Sequence, residues 1–221
     1  MYETLEIATL RPGAGRPTRD QAEARHRELL ATALDIFLDK GFEQTTMEGV
    51  AAAVGMTKRT VYARYMDKAA LFMATVQHAI ERLVVADATL AALETEDLEA
   101  TLTAVARMRV AQVMTPEGLK LQRIINTESY RFPQIFTMSY RQGAGPVIAY
   151  LAELLRRHDN AGAVCVDQPE MAANVFMSMV VGGPVRLIVS GNRLSQPEID
   201  TRIDFSVRLF LNGVRSRPTR G

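Results

Sequence analysis

The sequence predicts an all-α protein, with an N-terminal three-helix domain containing a helix-turn-helix and a larger C-terminal helical bundle. Three observations lead there. Leu, Ile, Val, Ala and Met dominate, with no tryptophan. Apolar residues recur at three- and four-residue spacing, and no strand-like alternation persists. Gly and Pro sit mostly at points where one periodic run gives way to the next. The chain divides into an arm over residues 1–18, a helix-turn-helix domain over 19–66, a helical bundle over 67–214 for which a ligand-binding and dimerisation role is expected on the grounds given below, and a tail over 215–221.

The arm holds Pro12, Gly13, Gly15 and Pro17, which disfavour regular structure, together with Arg11, Arg16 and Arg19 and no acid between them. It either follows a nucleic-acid backbone or touches nothing. Asp20-x-x-Glu23 offers a cap for a first helix running to Lys40, with Leu30, Ala33, Leu34, Phe37 and Leu38 as its apolar stripe and Gly41 as its stop. Residues 45–65 read TTMEGVAAAVGMTKRTVYARY. Thr45-x-x-Glu48 has the form of a capping box opening a short helix with Met47, Val50, Ala51 and Val54 inward. Gly55 stops that helix, and Thr57 caps a second one carrying Val61 and Tyr65 inward. Two short helices joined by a glycine turn is the helix-turn-helix plan, whose second helix enters the DNA major groove. The outward residues Lys58, Arg59, Thr60, Tyr62 and Arg64 include three cations and no carboxylate, so this face can meet phosphates and base edges. Lys58, Arg59 and Thr60 are best placed for bases. Thr46 and Thr57 stand at helix N-termini, where hydroxyls and N–H groups hold phosphate. The bland alternative is an ordinary core helix pair with a solvated basic face.

Beyond residue 66, Asp67 caps a fourth helix with Leu71, Phe72, Val76, Ile80 and Leu83 on its stripe, and residues 93–97 form a polar break. Helices follow over 97–114 and from Pro116 to about residue 131, where Phe132-Pro133 breaks the pattern. A long helix to His158 contains Gly143, Gly145 and Pro146 as a kink. After a loop, Asp167-x-x-Glu170 caps a helix over 169–190, and Ser195-x-x-Glu198 opens the last helix, to about Val214. These last two helices are apolar around their circumference, at Val175, Met179, Ile199, Ile203 and Phe210 among others. They are either core helices of a monomer or the interface of a dimer. Two symmetric helix-turn-helix units ~34 Å apart would read successive major-groove faces of a palindrome.

The middle helices supply candidates for an apolar ligand pocket: Met108, Arg109, Ile124, Ile125, Tyr130, Phe136, Tyr140 and Phe176, with Arg109, Asn126 and Glu128 as candidate polar anchors. Eleven methionines suit an adaptable wall. No enzyme signature is present: three histidines show no metal-ligand spacing, and no GxSxG, Walker or GxGxxG motif occurs. No catalytic residue, metal or cofactor is therefore expected. The single cysteine, Cys165, permits no intrachain disulfide and reads as buried or inert. With no signal peptide and no long uninterrupted apolar run, the expected setting is the cytoplasm, with no membrane partner. Net charge is +1, so DNA binding must come from local clustering.

Over its first third the chain resembles the TetR family of bacterial transcriptional regulators. The resemblance is carried by GRPTRD at 15–20, by the long run LLATALDIFLDKGFEQTTMEGVAAAVGMTKRTVYARYMDKAALF, and most specifically by G-F-x-x-T-T and T-V-Y-x-R-Y-x-x-K-x-x-L within it. It implies a homodimer joined through the two C-terminal helices, bound to a palindromic operator in double-stranded DNA and released by a small apolar or amphipathic effector that shifts the fourth helix. It further implies backbone contacts from Tyr62 and Arg64, a phosphate-binding Lys68, and repression as the default response. Ala63-Arg64 departs from the aromatic followed by His or Asn that many members carry, so base preference does not transfer. Two alternatives stand beside this: a ligand-independent regulator whose C-terminal domain only dimerises or binds a protein partner, and a helical small-molecule-binding or catalytic protein with an incidental helix-turn-helix.

Overall fold

The computed structural model describes residues 18–192 and 194–215, apart from the side chain of Val189. The basic arm over 1–17 and the tail over 216–221 lie outside the described residues. The described chain is helical throughout. Its only β-type pairing is one isolated bridge between Val164 and Arg215, in which Cys165 N–H donates to the Val214 carbonyl at 2.6 Å. Cys165 is exposed rather than buried.

Helix α1 (Arg19–Gln44) begins two residues earlier than Asp20 would have set it. Thr18 Oγ1 accepts from Gln21 N–H at 3.3 Å while Gln21 Oε1 accepts from Thr18 N–H at 3.0 Å, a complete capping box. Gly41, at φ 77°, breaks the helix where expected, and residues 42–44 resume helical geometry for a short stretch beyond it. Helix α2 (Met47–Ala53) is capped by Thr46, not Thr45: Thr46 Oγ1 accepts from Gly49 N–H at 3.1 Å. Thr45 is buried, and its hydroxyl donates to the Gly41 carbonyl at 2.8 Å, tying the turn to the end of α1. Gly55 takes the left-handed φ of 63° that a side chain resists, and α3 (Lys58–Tyr62) starts at Thr57, which accepts from Thr60 N–H at 3.2 Å. Asp67 caps α4 (Lys68–Glu81) through Ala70 N–H at 2.7 Å.

The expected fourth helix ends earlier than its stripe suggested. After Glu81 the chain turns and starts a separate α5 (Asp87–Ala92). Helices α6 (Leu98–Val113) and α7 (Pro116–Glu128) follow, capped by Asp97 and Thr115. Next come α8 (Gln134–Ser139), a π-helical turn (Tyr140–Ala144) and α9 (Gly145–Asn160). Helix α10 (Pro169–Met177) receives no side-chain cap. Asp167 does not supply one, and Glu170 instead pairs with Arg156 of α9. Proline at the first helical position has no N–H to satisfy, which lessens the need. A second π-helical turn (Ser178–Gly182), α11 (Gly183–Val189) and α12 (Gln196–Val214) complete the fold. The Glu198 carboxylate accepts from both the N–H and the hydroxyl of Ser195, at 2.8 and 2.7 Å.

The run Pro169–Ile188 is, by length and composition alone, apolar enough to cross a membrane, the one such run among the described residues. In the fold it is interrupted by the π turn and packs against α9, α6 and α12.

The buried residues form two apolar clusters. One joins α1 to α4 and recruits Leu121 and Ile124 of α7 and Ile135 of α8. At its centre Phe37, Phe42, Phe72 and Phe132 meet at ring-centroid distances of 4.8–5.9 Å. The other joins α6, α9, α10 and α12. Helices α4 and α7 pack on each other within the first cluster, and α7 also packs on α6 of the second, so a shift of α7 is felt on both sides.

Candidate nucleic-acid interface and a cavity beneath it

Small residues set the geometry of the helix-turn-helix. Ala51 and Val50 of α2 and Val61 of α3 are buried at the contact between the helices, where a larger group would force them apart. The opposite face is open: Thr46, Thr57, Lys58, Arg59, Thr60, Tyr62 and Arg64 are all exposed. Arg59 and Arg64 form no ion pair among the described residues. Thr57 and Thr60 share a hydroxyl hydrogen bond of 2.8 Å at the start of α3.

Two cations are less free than the sequence suggested. The face was expected to lack a carboxylate, but α2 brings Glu48 against Lys58, whose ammonium also lies 5.3 Å from the Tyr62 ring centroid. The Lys58 hydrogen bond holds the Glu48 carboxyl below its usual pKa, and the same contact raises that of Lys58. Lys68 is half-buried. Its Nζ donates to the Glu43 carbonyl at 2.9 Å and lies 4.5 Å from the centroid of Phe42. Arg131, just past α7, lies 4.4 Å from the same ring and pairs with the Glu43 side chain. The end of α1, which leads into the helix-turn-helix, is thus gripped from the start of α4 and from just past α7.

A cavity of about 340 Å³ lies further along the same two helices. Ile80 and Leu83 close it from the end of α4, Leu121 and Ile125 from α7, and Arg109 and Gln112 from α6. Phe136 and Tyr140, stacked at 6.4 Å and substantially exposed, stand on another wall. Both π turns also line it, through Tyr140, Gly143 and Ala144 on one side and Ser178, Val181 and Gly182 on the other. Each π turn precedes a Gly-Pro pair, Gly145-Pro146 and Gly183-Pro184. Proline offers no N–H and its ring crowds the carbonyl four residues back, so the helix widens by one residue at each place. Gly118 permits the close approach of α7 to the end of α6: a Cβ there would stand 2.5 Å from the Val113 carbonyl oxygen.

Of the pocket residues chosen from sequence, Arg109, Ile125, Phe136 and Tyr140 line this cavity, and the others, Asn126 and Glu128 included, do not. Phe176 is fully buried and packs on Phe210 at 5.0 Å. Ile124 points into the aromatic cluster's core, and Met108 packs against the C-terminal core. Tyr130 is 98% exposed, beyond the end of α7. The apolar spacing that selected them marks a helix face without saying which neighbour it meets. Gln112 and Gly118 were missed, although a glutamine one turn after an inward arginine on one helix face was a readable sign.

The interface residues need a similar correction. Ile199, Ile203 and Phe210 are buried inside the protomer, because that side of α12 packs on α6. Val175 is exposed and Met179 half-buried, and the exposed apolar residues nearby are Met171 on α10 with Phe205 and Leu209 on α12.

Comparisons with known proteins agree with this architecture. Residues 29–75 match the family model described as bacterial regulatory proteins, tetR family. Residues 100–213, just over half of the chain, match the AefR-like transcriptional repressor, C-terminal domain. The HTH-type transcriptional repressor Rv1474c of Mycobacterium tuberculosis (strain ATCC 25618 / H37Rv) is 25% identical over 174 residues, covering 79% of this chain and 87% of its own. A crystal structure of a TetR-family regulator from Mesorhizobium loti MAFF303099 superimposes with a TM-score of 0.73 at 28% identity, covering 90% of this chain and all of that one. The structure titled Flavonoid-responsive Regulator FrrA gives 0.67 at 29% identity, covering 89% and 100%. The chain therefore belongs to the TetR family of transcriptional regulators, and its exposed helix-turn-helix is a DNA-binding unit.

Proposed function

We propose that the protein is a homodimeric repressor that binds a palindromic operator and releases it when a small apolar or amphipathic effector enters the cavity. The observation that carries this reading is the position of the cavity. Its walls include the far end of α4 and one face of α7; Lys68 at the start of α4 and Arg131 just past α7 both grip Phe42 and Glu43 at the end of α1, where the chain enters the helix-turn-helix. A ligand that reshapes the cavity moves both grips. Linkage then requires effector and DNA to weaken each other by the same factor. The two π turns in its walls fit this role, since such turns gather at functional sites. FrrA, named as a flavonoid-responsive regulator, supports a small-molecule response in a chain of similar fold.

In this reading Arg59, Lys58 and Thr60 meet base edges, and Thr46, Thr57, Tyr62 and Arg64 meet phosphates, with Lys68 bracing the end of α1. Dimerisation rests on Met171, Val175, Phe205 and Leu209, large apolar groups left exposed on α10 and α12, which pack on each other. To read a palindrome, the two-fold dimer must hold its two recognition helices about one DNA turn apart, ~34 Å. Selection from random duplex DNA by the purified protein, with its mass measured in solution, tests the reading. A palindrome bound by a dimer is expected. A folded monomer, or a dimer that selects no site with or without cell metabolites, would overturn it.

A further inference from the structure

The cavity contains a charge that nothing among the described residues neutralises. Arg109 is only 7% exposed, on the α6 stripe that otherwise reads Leu102, Val105, Ala106, Val110 and Val113. Its Nη1 donates to Gln112 Oε1, an uncharged acceptor, and its Nε is buried without a partner. No acidic side chain pairs with it among the described residues, and none lines the cavity. Burial lowers its pKa, but an arginine remains protonated in proteins, so the positive charge stays. A buried cation without a counterion destabilises the fold that holds it. A methionine would fill the same stripe without that cost.

We infer that the cavity takes an organic monocarboxylate with an apolar body, whose carboxylate pairs with the Arg109 guanidinium. The inference rests on the proposal that this cavity is the effector site. Its charge follows from the count: one guanidinium balances one carboxylate, whereas a phosphate monoester, with about −1.5 to −2 at neutral pH, would leave charge buried and uncompensated. Its size follows from the volume. At the ~30 Å³ that a water-sized group occupies in a liquid, the cavity holds roughly ten such groups. Ile80, Leu121, Ile125, Ile148 and Met177 supply apolar contact for the body. The head is also wired to α4. Gln112 Nε2 donates to the Leu83 carbonyl, two residues past the end of that helix, at 2.9 Å. A carboxylate accepting two hydrogen bonds from the guanidinium competes with Gln112 Oε1, and so loosens the amide that holds Leu83.

The test is calorimetric titration of the full chain with decanoate and 2-naphthoate, each set against its uncharged amide. Wild type should bind at least one acid about tenfold or more tighter than its amide, a difference of ~1.4 kcal/mol. In Arg109→Gln that preference should vanish while amide affinity is kept, and Arg109→Lys should restore part of it. Equal binding of acid and amide, or a preference that survives Arg109→Gln, overturns the carboxylate inference and leaves the effector site standing. No binding by any of the four compounds overturns it too, and a ligand found for this cavity by wider screening would tell that failure from failure of the effector-site reading. Arg109→Met, which removes the unpaired charge, should melt no lower than wild type. A clearly lower melting temperature would mean that Arg109 holds the fold rather than awaiting a ligand.

Discussion

The DNA-binding unit and the cavity follow opposite rules of construction. In residues 45–72 each helix has its cap, the glycine turn takes its left-handed φ, and the small residues Ala51 and Val61 close the contact. Its charges lie on the surface. Around the cavity two helices are widened into π turns, and a guanidinium is buried without a counterion among the described residues. Under the proposed function, these departures gather where the site would accept an effector. The first region holds a fixed shape against DNA. The second keeps room and unspent polarity.

The sharpest break between them should come from Arg59→Ala. It removes an exposed cation from the start of α3 and touches nothing in the cavity. Operator affinity should fall by about 1–3 kcal/mol, with specificity relaxed at one base pair, while effector affinity stays within error. Gel-shift titrations on the selected operator and on scrambled DNA measure both. An equal loss on both DNAs would move Arg59 from base reading to backbone contact.

Glycine substitutions test the second region. In Gly118→Ala the new methyl meets the Val113 and Gln112 carbonyl oxygens at 2.5 and 2.6 Å, backbone atoms that cannot swing away. A cost of about 1–3 kcal/mol is expected, lowering the melting temperature by several degrees. Gly182→Ala, in the second π turn, meets nothing within 4 Å and should melt at or slightly above wild type. If both variants melt alike, crowding does not shape this wall.

The two regions were unequally legible in the sequence for the same reason. The helix-turn-helix is a local object. Its caps and its inward and outward residues lie within about twenty positions of one another, where spacing suffices, and even there the cap slipped from Thr45 to Thr46. The Lys58–Glu48 pair was missed because it joins two helices. The cavity is assembled from five or more helices, so periodicity identified apolar faces but could not say whether Ile124 meets the phenylalanine cluster or Ile125 meets the void. On α12 it marked Ile199, Ile203 and Phe210 as apolar, and only the packing on α6 shows that they face inward. Gly-Pro pairs were visible as interruptions, but the π turns they produce were not.

A smaller effect separates the regions by pH. His26 stacks near Tyr65 at 6.1 Å, and His78 lies on α4. Burial, then the nearby Arg64 for His26 and Arg82 for His78, pushes both pKa values below 6.5. The unfolded chain therefore binds more protons than the native one just below pH 6.5, and stability must fall with falling pH. Their contribution is fully present above pH 6.5 and is lost as pH drops from there through the lowered values. Melting temperature should decline between pH 7 and 5.5, before carboxylates such as Glu43 titrate, and His26→Gln with His78→Gln should flatten that slope. An unchanged slope would place the acid sensitivity elsewhere.

The smallest effect concerns the one contact that qualifies the openness of the DNA-binding face. Lys58 spends part of its charge on Glu48, an exposed pair of the kind that adds at most ~1 kcal/mol to stability. Glu48→Gln should therefore leave the melting temperature nearly unchanged, apart from a slight loss of favourable charge in the first turn of α2. Its consequence lies in binding. With the carboxylate gone, Lys58 is free for a phosphate or base edge, and a negative charge no longer faces the DNA. Affinity should rise a few-fold at low salt. If Lys58 gains a phosphate, the slope of log K against log salt should steepen by about 0.9. Affinity unchanged at every salt concentration would place the pair off the DNA path and remove Lys58 from the contact set. The remaining recognition would then fall to Thr60 and to Arg59, whose guanidinium makes no ion pair among the described residues.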